Sequence, residues 1–193
     1  MRYGYRRSGL NPILIIIIVN VVLLIATFIN QEFILRNFGL WPIFFLEQPW
    51  TLLTAMFLHG SFWHLFGNMF TLFFFGTYLS QLVGNNRFML VYFIGGICGN
   101  LLYLWLATPF SVAIGASGAV FAVGGTLAAM RPRLRVFVFP LPVPLPLWVA
   151  IVGGFLILSL IPSVAWQAHL GGLIFGVIAG YFFRKRERSF SFS

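Results

Sequence analysis

The sequence predicts an all-α polytopic membrane protein, in which six transmembrane helices form one bundle over residues 1–193. Three observations support this fold class. Hydrophobic residues make up 60% of the chain, and its mean hydropathy of +0.97 is typical of membrane proteins rather than soluble domains. Six apolar segments approach the roughly 20 residues that a helix needs to cross a bilayer. The basic residues lie at the edges of these segments.

The apolar segments follow one another without a sign of a second domain. The first comes after Arg2, Arg6 and Arg7, but it is longer than the apolar part of a typical signal peptide, so we expect a retained span. The second is long enough to hold an extra turn or two. The approximate limits of the six spans are 11–29, 53–82, 88–106, 112–130, 145–161 and 166–183.

The basic residues also predict the orientation. With six spans and a cytoplasmic N-terminus, eleven of the twelve Lys and Arg residues fall on the cytoplasmic side and only Arg36 falls outside. Because cytoplasmic loops carry an excess of Lys and Arg, we expect both termini to be cytoplasmic. The net charge of +9 then reflects topology, and we expect no nucleic-acid partner.

Two connections have unusual compositions. The outer loop 30–52 contains Trp41, Phe44 and Trp50 among few charges, which predicts a segment lying at headgroup depth. Residues 140–146 have the sequence Pro-Leu-Pro-Val-Pro-Leu-Pro. Proline at every second position predicts an extended, polyproline-like cytoplasmic spacer there.

Isolated polar residues occur in three of the spans. Span 2 contains His64 and Asn68, span 4 contains Ser117 and span 6 contains His169. All three spans run from outside to inside in the predicted topology, and at about 1.5 Å per helical residue these groups lie in the outer half of the membrane. Because polar groups are costly inside a bilayer, their shared depth predicts a functional site.

Small residues predict that spans 4 and 6 pack closely. Gly172 and Gly176 begin a small-xxx-small stripe after the span 6 histidine, and Gly115 and Gly118 flank the span 4 serine. Phe121 follows the serine by one helical turn, so its ring could flank the site. Close packing of the two spans would bring the serine and the histidine within hydrogen-bond reach.

Some residues favour a structural interpretation. His59 lies about 140° around the helix of span 2 from His64, so we expect no shared role for the two and interpret His59 as a structural anchor near the loop. Cys98 is the only cysteine and is expected to be a small apolar packing residue. We expect no metal site and no cofactor.

The scarcity of acids narrows the chemistry. A serine hydroxyl is a weak nucleophile unless a base takes its proton, and His169 could do so. The chain has only three acidic residues, Glu32 and Glu47 in the first outer loop and Glu187 in the cytoplasmic tail, so no carboxylate is available for a triad. A serine–histidine dyad remains, with His64, Asn68 and the serine N–H as candidate oxyanion donors.

These residues resemble the motifs of the rhomboid family of intramembrane serine proteases. The matching motifs appear in the family's order and cover essentially the whole chain: His59-x4-His64-x3-Asn68, Gly115-x-Ser117-Gly118 and Ala168-His169-x2-Gly172-x3-Gly176. The resemblance implies a six-helix rhomboid-like bundle in which Ser117 is the nucleophile, His169 is the general base, and His64, Asn68 and the Ser117 amide form the oxyanion hole.

The resemblance also implies partners and location. The substrates would be transmembrane or juxtamembrane segments with helix-destabilising residues, cleaved within the lipid membrane. The active site would open to the extracytoplasmic side of a prokaryotic cell membrane. Span 5 and the following loop would form a gate, with Phe155 and Trp166 as candidate gating groups.

The chain departs from the family pattern at two positions. Many relatives have Trp-Arg in the first outer loop, whereas this chain has Trp50-Thr51; relatives often have tyrosine where this chain has Phe121. Neither change removes a catalytic group. Two alternatives stay open, a catalytically inactive rhomboid-like protein that binds membrane clients, and a small transporter that uses its histidines as a proton relay. The physiological substrate and the oligomeric state also stay open.

Overall fold

The structure is a computed structural model that describes residues 11–138 and 142–190. This part of the chain is mostly helical. Its α-helices are α1 (Pro12–Ile29), α2 (Gln31–Phe38), α3 (Thr51–Thr54), α4 (Phe62–Thr71), α5 (Thr77–Val83), α6 (Asn85–Leu106), α7 (Ser117–Met130), α8 (Leu147–Ser159) and α9 (Trp166–Phe190). A short hairpin pairs β1 (Arg135–Val136) with β2 (Leu145–Pro146).

Three of these helices are long and apolar enough to cross a membrane, namely α1, α6 and the Trp166–Lys185 part of α9. They correspond to predicted spans 1, 3 and 6. Helices α7 and α8 are apolar but shorter. Helix α4 continues through a π-helical turn, Leu72–Gly76, directly into α5. The structure therefore agrees with a helical membrane protein, while the count of six spans stays a prediction.

Predicted span 2 was wrong as one continuous helix over 53–82. The chain instead forms α3, a 3-10 turn at Ala55–Phe57 and an irregular segment before α4 begins at Phe62. The hydroxyl of Ser61 accepts a hydrogen bond from the His64 backbone N–H at 3.1 Å, which caps a new helix at this point. His59 consequently lies before α4, and its predicted separation from His64 around one helix does not apply.

Predicted span 4 was wrong over 112–116, because α7 begins at Ser117. The backbone of the preceding segment is bonded elsewhere. Leu40 and Ala113 exchange two backbone hydrogen bonds of 3.0 Å, and the Gly115 N–H donates to the Ala55 carbonyl at 2.8 Å. The depth of the serine therefore follows from this extended segment and not from helical rise.

Helix α7 is the centre of the bundle and is almost entirely buried between α6 and α9. The glycine stripe of α9 faces it, as predicted. A Cβ placed on Gly172 would lie 2.0 Å from the Gly118 carbonyl oxygen, and one on Gly176 would lie 2.1 Å from the Ala122 carbonyl oxygen. The Thr126 hydroxyl, within hydrogen-bond distance of the Gly176 carbonyl at 3.0 Å, adds a polar contact between the two helices.

The proline-rich segment is only partly as predicted. Residues 139–141 lie outside the described residues, and residues 145–146 are extended but pair with 135–136 instead of forming a free spacer. Helix α8 accordingly begins at Leu147, where the backbone N–H donates to the Leu134 carbonyl at 2.8 Å. The start of predicted span 5 moves from 145 to 147.

The outer loop 30–52 is a folded segment that contains α2 and a 3-10 turn at Pro42–Phe44. The Trp50 indole N–H donates to the Asn37 carbonyl at 2.8 Å. Thr51, at the position where many relatives have arginine, is buried, and its hydroxyl donates to the Gln48 carbonyl at 2.6 Å. Local hydrogen bonds thus stabilise the fold of this loop. Its location at the depth of the lipid headgroups stays a prediction.

We expect Gly176→Ala to lower the free energy of unfolding by about 1–3 kcal/mol, because the added methyl group meets backbone that cannot move aside. Gly153→Ala in α8 is the matched control, since a Cβ there meets no atom within 4 Å. Denaturation in mixed detergent micelles measures both variants. Equal stability of the two would contradict close α7–α9 packing.

Candidate active site

The serine and the histidine predicted from the sequence lie in direct contact. Ser117 is the first residue of α7, and His169 lies in the first turn of α9. The Ser117 Oγ and His169 Nε2 atoms are 2.7 Å apart. The contact follows from backbone packing, because Gly118 lies against both Gly172 and the Ala168 carbonyl, immediately beside the two side chains.

The His169 ring is held inside the bundle, where its side chain is 4% exposed. The Phe121 ring lies over it with centroids 4.7 Å apart and an interplanar angle of 32°. The ring contact predicted for this position is therefore present without a tyrosine hydroxyl. His169 Nδ1 is buried and has no hydrogen-bond partner within residues 11–138 and 142–190.

The start of α7 presents backbone donors to the site. The first i→i−4 hydrogen bond of this helix joins the Val120 N–H to the Ala116 carbonyl at 2.9 Å. The N–H groups of residues 117–119 have no backbone acceptor among the described residues. Free N–H groups at a helix N-terminus favour negative charge, so the Ser117 amide is suited to an oxyanion.

His64 approaches the same place from α4. A Cβ placed on Gly115 would lie 2.8 Å from His64 Nε2 and 3.6 Å from Ser117 Oγ, so both atoms border this glycine. Gly115 has a φ of +126°, a conformation that L side chains rarely adopt. The glycine is therefore required by its backbone angle as well as by space.

Asn68 lies one helical turn below His64 and is buried. Its Nδ2 donates to the His64 carbonyl at 2.8 Å, which occupies one of the two amide N–H groups. The second N–H remains for another acceptor. His59 also belongs to this side of the site, because its ring contacts the His64 ring with centroids 4.8 Å apart.

The two candidate gating residues lie at the edge of the site. The Phe155 ring in α8 meets the Phe121 ring edge-on with centroids 6.2 Å apart. Trp166 begins α9 and is partly exposed, and its backbone N–H donates to the Val164 carbonyl at 2.8 Å. The Phe121 ring thus contacts both Phe155 of α8 and the His169 ring.

Two supporting contacts were missed by the sequence analysis. The Ala55 carbonyl anchors Gly115, and the Thr126 hydroxyl contacts the Gly176 carbonyl. The Ala55 contact is made by a backbone carbonyl, which every residue type has, so the sequence could not have indicated this contact. A threonine inside a helix most often bonds its own preceding turn, and Thr126 also does this, at 2.8 Å from the Ala122 carbonyl.

Known proteins were compared with the chain. Residues 46–186 match the family described as the Rhomboid domain. Rhomboid protein 1, mitochondrial, of Saccharomyces cerevisiae is 31% identical over 154 residues, which cover 70% of this chain and 42% of that protein. RHOMBOID-like protein 6, mitochondrial, of Arabidopsis thaliana is 34% identical over 143 residues, covering 74% and 46%. The chain thus spans less than half the length of these two relatives.

A bacterial relative has a more similar length. YdcA of Bacillus subtilis, named as a candidate rhomboid protease, is 31% identical over 147 residues, which cover 73% of this chain and 71% of that protein. The fold and the site define a helical integral membrane protein that holds a serine–histidine pair inside its bundle. The chain belongs to the rhomboid family.

We expect Gly115→Ala to lower the free energy of unfolding by about 1–3 kcal/mol, because the new Cβ combines an unfavourable φ with a clash against His64. Gly60→Ala is the control, since a Cβ there meets only Ile114 Cδ1 at an ordinary 3.5 Å. The same micellar denaturation titration compares them. A Gly115 variant as stable as the Gly60 variant would show that His64 is not packed against this turn.

Proposed function

We propose that the protein is an intramembrane serine endopeptidase that cleaves transmembrane or juxtamembrane segments of membrane proteins. The observation that carries the proposal is the 2.7 Å contact between Ser117 Oγ and His169 Nε2 beside the free N–H groups that begin α7. Membership of the rhomboid family supports it independently. A serine placed only for packing would not need a buried imidazole as its hydroxyl partner.

The reaction follows from the two groups. His169 Nε2 accepts the proton of Ser117 Oγ while the oxygen attacks the scissile carbonyl carbon, and a tetrahedral intermediate forms. As the C–N bond breaks, the imidazolium returns the proton to the leaving amine and an acyl-enzyme remains. Water then attacks the ester, with His169 again accepting the proton, and the free serine and a carboxylic acid are released.

The negative charge of the tetrahedral intermediate requires donors that are already in place. The Ser117 amide, the His64 imidazole and the remaining Asn68 N–H supply them in this proposal. Fixed donors in a site of low dielectric stabilise a transition state more than the ground state. In this proposal His64 donates as a neutral ring, while His169 is neutral until it accepts the serine proton. The three glutamates of the chain lie in the outer loop and near the end of α9.

The proposal includes the topology and the gate. The basic residues support cytoplasmic termini, so water and substrate would reach Ser117 from the extracytoplasmic side. Helix α8 supports a movable gate, because only its Leu147 and Ile151 are buried and neither Gly153 nor Gly154 has an atom within 4 Å of a Cβ position. Phe155 would then swing away from Phe121, and Trp166 would mark the hinge at α9.

We expect the purified wild-type protein to be labelled by a fluorophosphonate probe, because an activated serine oxygen displaces fluoride from phosphorus. Ser117→Ala should abolish labelling, and His169→Ala should reduce it to background. Gel fluorescence after incubation in detergent measures the label. Gly153→Ala serves as a control that should label like the wild type.

Two outcomes would contradict this assignment. Labelling that survives Ser117→Ala would place the nucleophile elsewhere, and an unlabelled but folded wild type would favour the client-binding alternative. Proton flux in liposomes tests the transporter alternative, which requires flux that falls when His59 or His64 is replaced.

We expect Asn68→Ala to slow cleavage of a transmembrane substrate by about 10–1000-fold, the range for loss of one oxyanion donor among several. The fold should persist, since the side chain otherwise bonds only its own helix. Single-turnover kinetics and thermal unfolding, measured together, check both parts. Unfolding with little loss of rate per folded molecule would assign Asn68 a structural role instead.

A further inference from the structure

His59 is buried in the irregular segment between the Ala55–Phe57 turn and α4. Its side chain is 0% exposed. Neither of its ring nitrogens is hydrogen-bonded to another side chain within the described part of the chain. The Phe57 backbone is a polar neighbour of the ring. Its side-chain contact is aromatic: the His59 and His64 rings meet edge to face, with centroids 4.8 Å apart and an interplanar angle of 65°.

The ring of His64 depends on packing for its orientation. The hydrogen bonds that hold His64 involve its backbone, since its N–H is bonded to Ser61 Oγ and its carbonyl to Asn68 Nδ2. Its imidazole makes no hydrogen bond in residues 11–138 and 142–190. Two neighbours fix the ring instead, with Gly115 against Nε2 and His59 against the ring itself.

The orientation of His64 matters for the proposed chemistry. A neutral imidazole carries a single N–H donor, so a rotated ring would present either a lone pair or a carbon to the oxyanion. Misplacing a group near the reacting atoms by about 1 Å can cost on the order of 100-fold in rate. Any residue that holds the ring would therefore act on turnover without touching the substrate.

We propose that His59 is a positioning residue that holds the His64 imidazole with Nε2 toward Ser117. The inference rests on the proposed function of that site. The contact acts between two neutral rings, because adjacent buried imidazolium ions would repel each other without a counter-ion. No acidic side chain of the described residues forms an ion pair with either ring. Ring shape, and not charge, carries the effect.

The test is a double-mutant cycle on turnover. His59→Ala should lower kcat by about tenfold with KM for a transmembrane substrate unchanged, because orientation and not binding is lost. His59→Phe should stay within about twofold of wild type, since it keeps the ring. In a His64→Ala background, His59→Ala should cause no further loss, as expected for residues that act through one contact.

A matched control separates positioning from general stability. Asn100 is buried in α6 and supports the same region, because its Nδ2 donates to the Leu52 carbonyl at 2.8 Å. Asn100→Ala should lower stability, and any effect on kcat should add to that of His64→Ala. An additive His59 effect, an unchanged kcat in His59→Ala, or equal losses in His59→Phe and His59→Ala would each overturn the proposal.

Two further measurements keep the test decisive. If His59→Ala does not fold, His59→Leu replaces it, and a Leu variant as active as the Phe variant would overturn a role for the ring. If wild type shows no Ser117-dependent labelling, the proposed function fails on its own. NMR of the isotope-labelled imidazoles, of which the chain has three, then tests the positioning role separately. Exchange broadening of the His64 signals in His59→Ala but not in Asn100→Ala supports positioning, and the absence of such broadening overturns it.

Discussion

The close approach of α7 and α9 is the contact on which the rest of the site depends. At Gly172 and Gly176 a Cβ would lie 2.0 and 2.1 Å from the α7 carbonyl oxygens, far inside van der Waals contact, so the two backbones touch directly. In a bilayer the hydrophobic effect contributes little to helix association, because lipid tails are as apolar as the side chains. Small residues stabilise the contact instead by letting the two backbones pack closely. The 2.7 Å contact between Ser117 and His169 is a consequence of this spacing.

The opposite side of the site is built from backbone that is not helical. An unpaired backbone group at membrane depth is costly, so irregular segments occur there only where protein satisfies them. The bonds of Leu40 with Ala113 and of Ala55 with Gly115 meet this requirement. They also end the extended segment at Ser117, so the first N–H groups of α7 have no preceding helical turn to accept their hydrogen bonds.

In the proposed function, the α7–α9 side and the α4 side of the site have different roles. The α7–α9 side holds the proposed nucleophile, its base and the Ser117 amide, while the α4 side holds the other two candidate oxyanion donors, His64 and Asn68. Helix α8 is bound more loosely to both, and Phe155 is its ring contact with the site. In the proposed function, a fixed serine–histidine pair beside a weakly packed helix would let a substrate segment enter without disturbing the geometry of the pair.

The sequence by itself determined the membrane class, the two residues of the serine–histidine pair and the glycine spacing that joins them, because hydropathy, residue chemistry and the small-xxx-small period are local properties. It could not place the start of α7 or the break before α4, since both depend on backbone bonds between residues far apart in the chain. His59 illustrates the difference. Its separation from His64 by five residues suggested different faces of one helix, and only the tertiary structure, in which α4 begins at Phe62, brought the two rings together.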